Sequence, residues 1–122
     1  MTEKPVSTGD ILTEIISAMR EKKGFDIVVM DLRHLNNVAT SYFVICSGNS
    51  DRQTQAIADY ITDQLKKELH ERPLRTEGYR SGQWILIDYF DVVVHVFLPR
   101  HRDYFNLEEL WGDAEFTRIE NE

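Results

Sequence analysis

The sequence predicts an α/β (α+β) fold in one domain, a mixed sheet of about five strands with helices packed over it. Three observations predict this. Two segments repeat apolar residues at helical spacing: Ile11, Leu12, Ile15, Ile16 and Met19, then Ala56, Ile57, Tyr60, Ile61, Leu65 and Leu69. DIVVMDL (26–32) and YFVICS (42–47) are short, nearly continuous apolar runs rich in β-branched residues, the pattern of strands covered on both faces. WILIDY (84–89) and VVVHVFL (92–98) follow each other with only Phe90 and Asp91 between them, which predicts a tight antiparallel hairpin.

In chain order, residues 1–6 lack any pattern and read as a loose start. Ser7 with Asp10 three positions on forms a capping box, the aspartate replacing the usual glutamate. The first helix then runs to the cationic stretch Arg20, Lys22, Lys23, and Gly24 supplies its stop. RHLNNVAT (33–40), with its two asparagines, is a polar connector between the first two strands. Gly48, Asn49 and Ser50 close the second strand and cap a helix spanning about 51–70, beyond which Pro73 prevents continuation. LRTEGY (74–79) is a short extended piece leading to the hairpin. Pro99 ends the last strand, RHRDYFNLEELW (100–111) has the look of one or two helical turns, and the acidic tail 112–122 is expected to fray. The folded core is therefore placed at about 8–114 of a single domain over 1–122, with flexible ends. The order is α-β-β-α-β-β-β-α.

A length of 122 residues suits one modest core, and 42% hydrophobic with 29% charged residues is an ordinary globular composition. No apolar run approaches the roughly 18 residues that span a bilayer, so no membrane partner is expected. The start MTEKPVSTGD has neither an apolar signal core nor an Arg-rich amphipathic pattern, and the single cysteine forms no internal disulfide. These features together predict a cytoplasmic protein. A net charge of −7 argues against a broad RNA-coating face, because phosphate neutralisation supplies most of the affinity of such proteins. It suits a basic protein partner, and little direct contact with nucleic acid is expected.

Several residue sets could in principle carry chemistry. SGNSDRQ (47–53) stands where a strand yields to a helix, and its backbone amides could hold an anion. It lacks a P-loop lysine and the dinucleotide spacing, so a capped turn is the favoured reading. Asp31, Asp88 and Asp91 are strand-borne carboxylates of the kind that bind magnesium in nucleotidyl transfer. Asp88 and Asp91 are three apart across a turn, however, whereas ligands on one strand face sit at i and i+2. Ser50, His95 and Asp91 have the residue types of a nucleophilic triad, and Cys46 with His95 those of a thiol dyad. No nucleophile elbow accompanies them, and Cys46 lies inside an apolar strand as a small hydrophobe. No catalytic residue, metal ligand or cofactor is assigned, and a protein that works by binding is expected.

The less ordinary signal is in the last third. Trp84, Tyr89, Phe90, Phe97, Tyr104, Phe105 and Trp111 concentrate there among Asp88, Asp91, Arg100, Arg102 and Asp103. One face of a small core absorbs about half of these rings, and aromatics with arginine form the energetic centres of protein interfaces. Alternation puts Trp84, Leu86 and Asp88 on one side of their strand and Ile85, Ile87 and Tyr89 on the other.

YFVICSGNSDRQTQAIAD (42–59), Glu77–Gly78, WILIDYFDVVVHVF (84–97) and YFNLEELWGDA (104–114) resemble, in order and spacing, the successive blocks of the ribosomal silencing factor (Iojap-related) family. The resemblance runs from about residue 11 to residue 114. It implies a nucleotidyltransferase-like topology without the active site. It also implies binding to large-subunit ribosomal protein uL14 on the face that meets the small subunit, so that subunit joining is blocked and translation falls when nutrients are short. Relatives in organelles take part in large-subunit assembly, so a biogenesis factor is one alternative and a nucleotidyltransferase-like enzyme another. By this resemblance Trp84, Asp88, Asp91, His95, Tyr104, Leu107 and Trp111 match signature positions. With an exposed Tyr89 or Phe90 they make up the expected partner-binding surface, located at the hairpin tip and in residues 100–111. The same patch gives the free protein a route to a homodimer. Phe90 stands where many relatives have Gly, and Ser41 where many have Asp.

Overall fold

The computed structural model describes residues 5–120. Ten elements follow one another: α1 (Thr8–Glu21), β1 (Phe25–Asp31), β2 (Tyr42–Ser47), α2 (Asp51–Leu69), β3 (Arg75–Glu77), β4 (Trp84–Asp88), β5 (Val92–Phe97), α3 (Pro99–Phe105), α4 (Leu107–Leu110) and β6 (Glu115–Ile119). The strands form one sheet in the order β3-β4-β5-β2-β1-β6. β2 and β5 run parallel, and every other neighbouring pair is antiparallel. The α2 crossover and the β3–β4 ribbon are what permit that one parallel contact. No described helix is long and apolar enough to cross a membrane.

Local signals explain the helices. Ser7 Oγ accepts from the Asp10 amide at 3.0 Å while the Ser7 amide donates to Asp10 Oδ2 at 3.1 Å, completing the expected capping box. Ser50 caps α2 in the same way, accepting from the Gln53 amide at 3.1 Å. At the end of α1 the left-handed residue is Lys23, at φ 65°, and not Gly24. Gly24 is needed for space instead: a Cβ there would lie 3.1 Å from the Met19 carbonyl and 3.3 Å from Cys46 Sγ. Along α2 the buried stripe is Thr54, Ile57, Ala58, Ile61 and Leu65, with Ala56 turned outward rather than inward.

α1 and α2 cover one sheet face. Ile11, Ile15, Met19, Ile57, Ile61 and Leu65 close over Ile27, Val44, Cys46, Ile85, Ile87, Val94 and Val96, which makes the larger core. A smaller core lies on the opposite face, where Val28, Met30, Ile45 and Phe97 meet Leu107 and Ala114. β5 is buried throughout because both faces are used.

Two expectations for the chain ends are corrected. The tail expected to fray contains β6, which pairs with β1 over five residues from Ile27↔Ile119 to Asp31↔Glu115, so the sheet has six strands. EFTRI carries little apolar character, and its order comes from a distant ladder partner that no local pattern announces. At the other end Val6 packs against the larger core, so the irregular start is anchored there. Residues 1–4 and 121–122 of the expected loose ends lie outside the described residues.

Candidate functional site

The sheet face away from α1 and α2 is only half roofed. Strand alternation sends Trp84, Leu86 and Asp88 of β4 to this side, all partly exposed, while Ile85, Ile87 and Tyr89 go inward. The parallel register sets Phe43 beside Val93, Ile45 beside His95 and Ser47 beside Phe97, so Phe43, His95 and Phe97 share the face with Trp84. α3 and α4 cross it as a partial lid.

The result is a row of rings. Trp111 of the lid meets Phe43 edge-on at 6.0 Å, and Phe43 meets His95 at 4.7 Å. His95 lies 5.9 Å from Trp84, whose other neighbours are Phe97 at 4.9 Å and Phe105 at 4.7 Å. Tyr104 closes the row against Phe105 at 5.1 Å. Such tilted and edge-on pairs add roughly 0.5–1.5 kcal/mol each beyond burial. One hydrogen bond pins the middle: Trp84 Nε1 donates to His95 Nδ1 at 3.0 Å. That bond leaves the ring proton on Nε2, and burial pushes the His95 pKa down to about 3, so the imidazole is neutral. His95 is therefore a fixed acceptor that aims the indole.

At the Tyr104 end an open groove of about 510 Å³ is lined by Ser81, Gln83, Trp84, Arg100, His101, Tyr104 and Phe105. Tyr104 is 82% exposed, and Leu110 on the lid 70%. These are large apolar surfaces for a protein of this size to leave in water. Arg102, which falls in the 100–111 stretch where the partner surface is expected, lies buried beneath the lid. Its guanidinium donates to the Asp26 carbonyl at 2.7 Å and to Ser47 Oγ at 3.0 Å, and pairs with Glu108 at 3.2 Å. Asp26, at φ 51° in a bulge of β1, turns its carbonyl toward that arginine. The lid is thus tied down by a buried cation with satisfied partners.

The hairpin tip lies at the other end of β4. Tyr89 donates its amide to the Val92 carbonyl at 2.8 Å, and the Asp91 amide returns to the Tyr89 carbonyl at 3.0 Å. Phe90 sits between them at φ 74°, a three-residue turn that costs an L-residue strain. Asp88 Oδ1 steadies it by accepting from the Phe90 amide at 2.8 Å. Phe90 is 63% exposed, whereas Tyr89 is 7% exposed and packed in the larger core. The expectation of an exposed ring at the tip is met by Phe90 alone.

Of the nine residues assigned from sequence, Trp84, His95 and Trp111 are joined in the ring row through Phe43, and Tyr104 joins through Phe105. Leu107 is buried under the lid, and His95 is buried within the row. Asp88, Phe90 and Asp91 form the separate tip. Phe43 was missed because its face depends on the β2–β5 register, which no local pattern carries. Leu110 was missed because a four-residue helix has too little periodicity to show an outward face.

The competing sites fall apart on geometry. Cys46 stands beside Val96 and points to the helices, while His95 stands beside Ile45 on the opposite face. Burial also pushes the Cys46 thiol up to about 12. Ser50 follows the far end of β2, whereas the Asp91 carbonyl receives the amides of Ser41 and Tyr42 at its near end. Roughly 17 Å of strand therefore separates them. Asp31 is held by Arg33 through a 2.8 Å ion pair that lowers its carboxyl, and Asp88 is occupied by the tip and by Arg75. Among the described residues no three His, Cys, Asp or Glu gather as metal ligands. The SGNSDRQ turn spends its groups on capping: Ser50 Oγ accepts from the Gln53 amide at 3.1 Å, and Gln53 Oε1 accepts from the Asn49 amide at 2.6 Å. Gly78 and Gly82, both at positive φ, let the 78–82 loop close onto Trp84 and Asp51 where no side chain would fit.

Residues 5–122 match the family model described as "Ribosomal silencing factor during starvation". The chain is 41% identical over 118 residues to the ribosomal silencing factor of Halalkalibacterium halodurans, covering 94% of this chain and 97% of that protein. It is 44% identical over 110 residues to the factor of Bacillus subtilis, covering 90% and 92%. A crystal structure of a Chromobacterium violaceum protein superposes with a TM-score of 0.82 at 37% identity, covering 88% of each chain.

Proposed function

The chain belongs to the ribosomal silencing factor family, and from that premise we propose that it binds the large ribosomal subunit and sterically blocks subunit joining in the cytoplasm. We place its contact with ribosomal protein uL14 on the half-roofed aromatic face. One observation carries the placement. A continuous row of rings ends in Tyr104, 82% exposed, beside a groove walled by Trp84 and Phe105. Rigid aromatics with an adjoining arginine are what interface centres are built from, because they bury much area at small entropic cost. Arg100 lines the same groove. The row is fixed from beneath by the Trp84–His95 bond, so the surface is organised before it meets a partner.

A steric repressor of this kind needs a compact body and one anchored face. The net charge of −7 suits a basic ribosomal target and speeds encounter. Phe90 and Asp91 at the hairpin tip are a second point of contact in this reading, at the opposite end of β4 from the groove.

Co-sedimentation with free large subunits on sucrose gradients tests the proposal, with purified uL14 and competing small subunits as further arms. The wild-type protein comigrates and slows subunit joining. Tyr104→Ala loses at least tenfold in affinity while its melting temperature falls by no more than about 4 °C, because the truncated ring is 82% exposed and its one ring contact, with Phe105, is worth about 1 kcal/mol. No comigration of the wild type would sink the proposal. Immature large particles on depletion in rich medium, with joining unaffected, would favour an assembly role for the same face.

A further inference from the structure

α2 does more than cover the larger core. Polar side chains in its N-terminal half hold the loop between β3 and β4. Thr54 Oγ1, itself buried, donates to the Gly82 carbonyl at 2.6 Å. Gln55 Nε2 donates to the Tyr79 and Arg80 carbonyls at 2.9 and 3.2 Å. The Tyr79 hydroxyl returns a hydrogen bond to Asp59 Oδ2 at 2.8 Å. Gly82 lies so close to the helix that a Cβ there would stand 2.9 Å from the Asp51 Cα. The loop also closes on itself, the Gly82 amide donating to the Gly78 carbonyl at 3.1 Å. A connection held by four side-chain bonds to a neighbouring helix has lost the freedom that exposed turns normally keep.

What the loop delivers is Gln83. This residue is exposed and lines the groove with Trp84, Tyr104 and Phe105. Its backbone is engaged, the carbonyl accepting from the Leu98 amide at 3.0 Å and the amide lying 3.4 Å from Ser81 Oγ. Its side-chain carboxamide has no hydrogen-bond partner among the described residues.

Taking the aromatic face as the contact surface, we propose that Gln83 is a specificity-determining residue of the groove and that Gln55 is its positioning residue. Gln55 acts through the 78–82 loop and does not touch the partner. A carboxamide offers an acceptor and two donors in one plane, the complement of a main-chain peptide group. The rings around it exclude water and fill space, and Arg100 supplies donors only. Gln83 is therefore the group that fixes the register of an extended segment of the partner laid in the groove. It discriminates only while it is held within roughly 0.5 Å of its bonding position. The clamp from α2 supplies that hold.

Affinity for free large subunits and for purified uL14, measured on full-chain variants, tests this. Gln83→Ala weakens binding roughly fivefold, the worth of one hydrogen bond. Gln55→Ala, a change on α2 outside the groove, gives a similar loss and speeds hydrogen exchange at the Gly82 amide. Its melting temperature falls by no more than about 5 °C. The double variant binds within about twofold of Gln83→Ala, because the clamp then has nothing to place. A purely structural role for Gln55 would instead multiply the two losses. Should Gln55→Ala fold poorly, Tyr79→Phe cuts the loop's exposed link to Asp59 and gives the same non-multiplying loss. Unchanged binding in Gln83→Ala, or losses that multiply in the double variant, would overturn the proposal, while a Tyr104→Ala defect in the same assay keeps the contact face standing. A wild type that does not bind, or Tyr104→Ala binding normally, would remove the face and the role of Gln83 together.

Discussion

His95 gives the protein an acid-sensitive core without any charged neighbour. It is 3% exposed, hemmed by Phe43, Trp84 and Phe97, and its pKa falls to about 3 by burial alone. In the unfolded chain the imidazole titrates near 6.5, so below that pH the unfolded state binds a proton that the folded state refuses. The stabilising contribution is thus complete above pH 6.5 and is lost progressively as pH falls toward 3. Each unit is worth about 1.4 kcal/mol, so at pH 5 the loss is roughly 2 kcal/mol. Protonation would also put a donor on Nδ1, facing the Trp84 indole N–H that now donates to it at 3.0 Å. The control is His95→Gln, which keeps an acceptor for the indole and does not titrate. Urea unfolding followed by tryptophan emission, run from pH 7 to pH 5, should show the wild type losing about 2 kcal/mol more than the variant. Asp31, whose carboxyl is lowered by Arg33, adds its own loss only below its unfolded value near 3.8, outside that window. Parallel curves for the two proteins would refute the reasoning.

Three further outcomes follow from particular contacts. Phe90→Gly removes an aromatic at φ 74°, relieving about 1–2 kcal/mol of strain against about 0.5–1 kcal/mol of glycine entropy; thermal melts should show a rise of about 6 °C or less. Arg102→Ala strips three partners from beneath the lid, and the urea midpoint should fall by the equivalent of about 3 kcal/mol, since Glu108 and the Asp26 carbonyl lose their donor. Cys46, fully buried with its thiol pushed up to about 12, should react with a thiol reagent at pH 8 at least about 10³-fold more slowly in the native protein than in urea.

What was legible in the sequence was whatever a local period encodes. The capping box at Ser7, the stripe of α1, the cap at Ser50 and the split of β4 into Trp84/Leu86 and Ile85/Ile87 faces all stand as read. What failed depended on partners far along the chain. EFTRI has no core-facing row strong enough to signal a strand, and becomes one only because β1 offers it a ladder. Tyr89 looked like a tip residue, but it continues the inward row of Ile85 and Ile87, and its ring follows the parity of the strand into the core. Gly24 looked like a helix stop on propensity, yet the crowding of Met19, Cys46 and Ile57 around it explains the glycine better than its dihedral angle does.

The two faces of the sheet are built differently, and the proposed function assigns them different tasks. The core between one face and α1 and α2 buries fourteen aliphatic side chains with few polar atoms and sets the stability. The opposite face is given a lid of only two short helices, tied by one buried arginine and one tryptophan. A longer lid would have covered Trp84 and Phe105 and made an ordinary second core. The short one leaves the rings half exposed yet held in register by strands on both sides. A surface of this kind costs the folded protein some burial but loses little entropy when a partner covers it. If the aromatic face is the contact surface proposed above, changes beneath the lid, such as Arg102→Ala, should weaken partner binding and stability together, while changes at Tyr104 should separate the two.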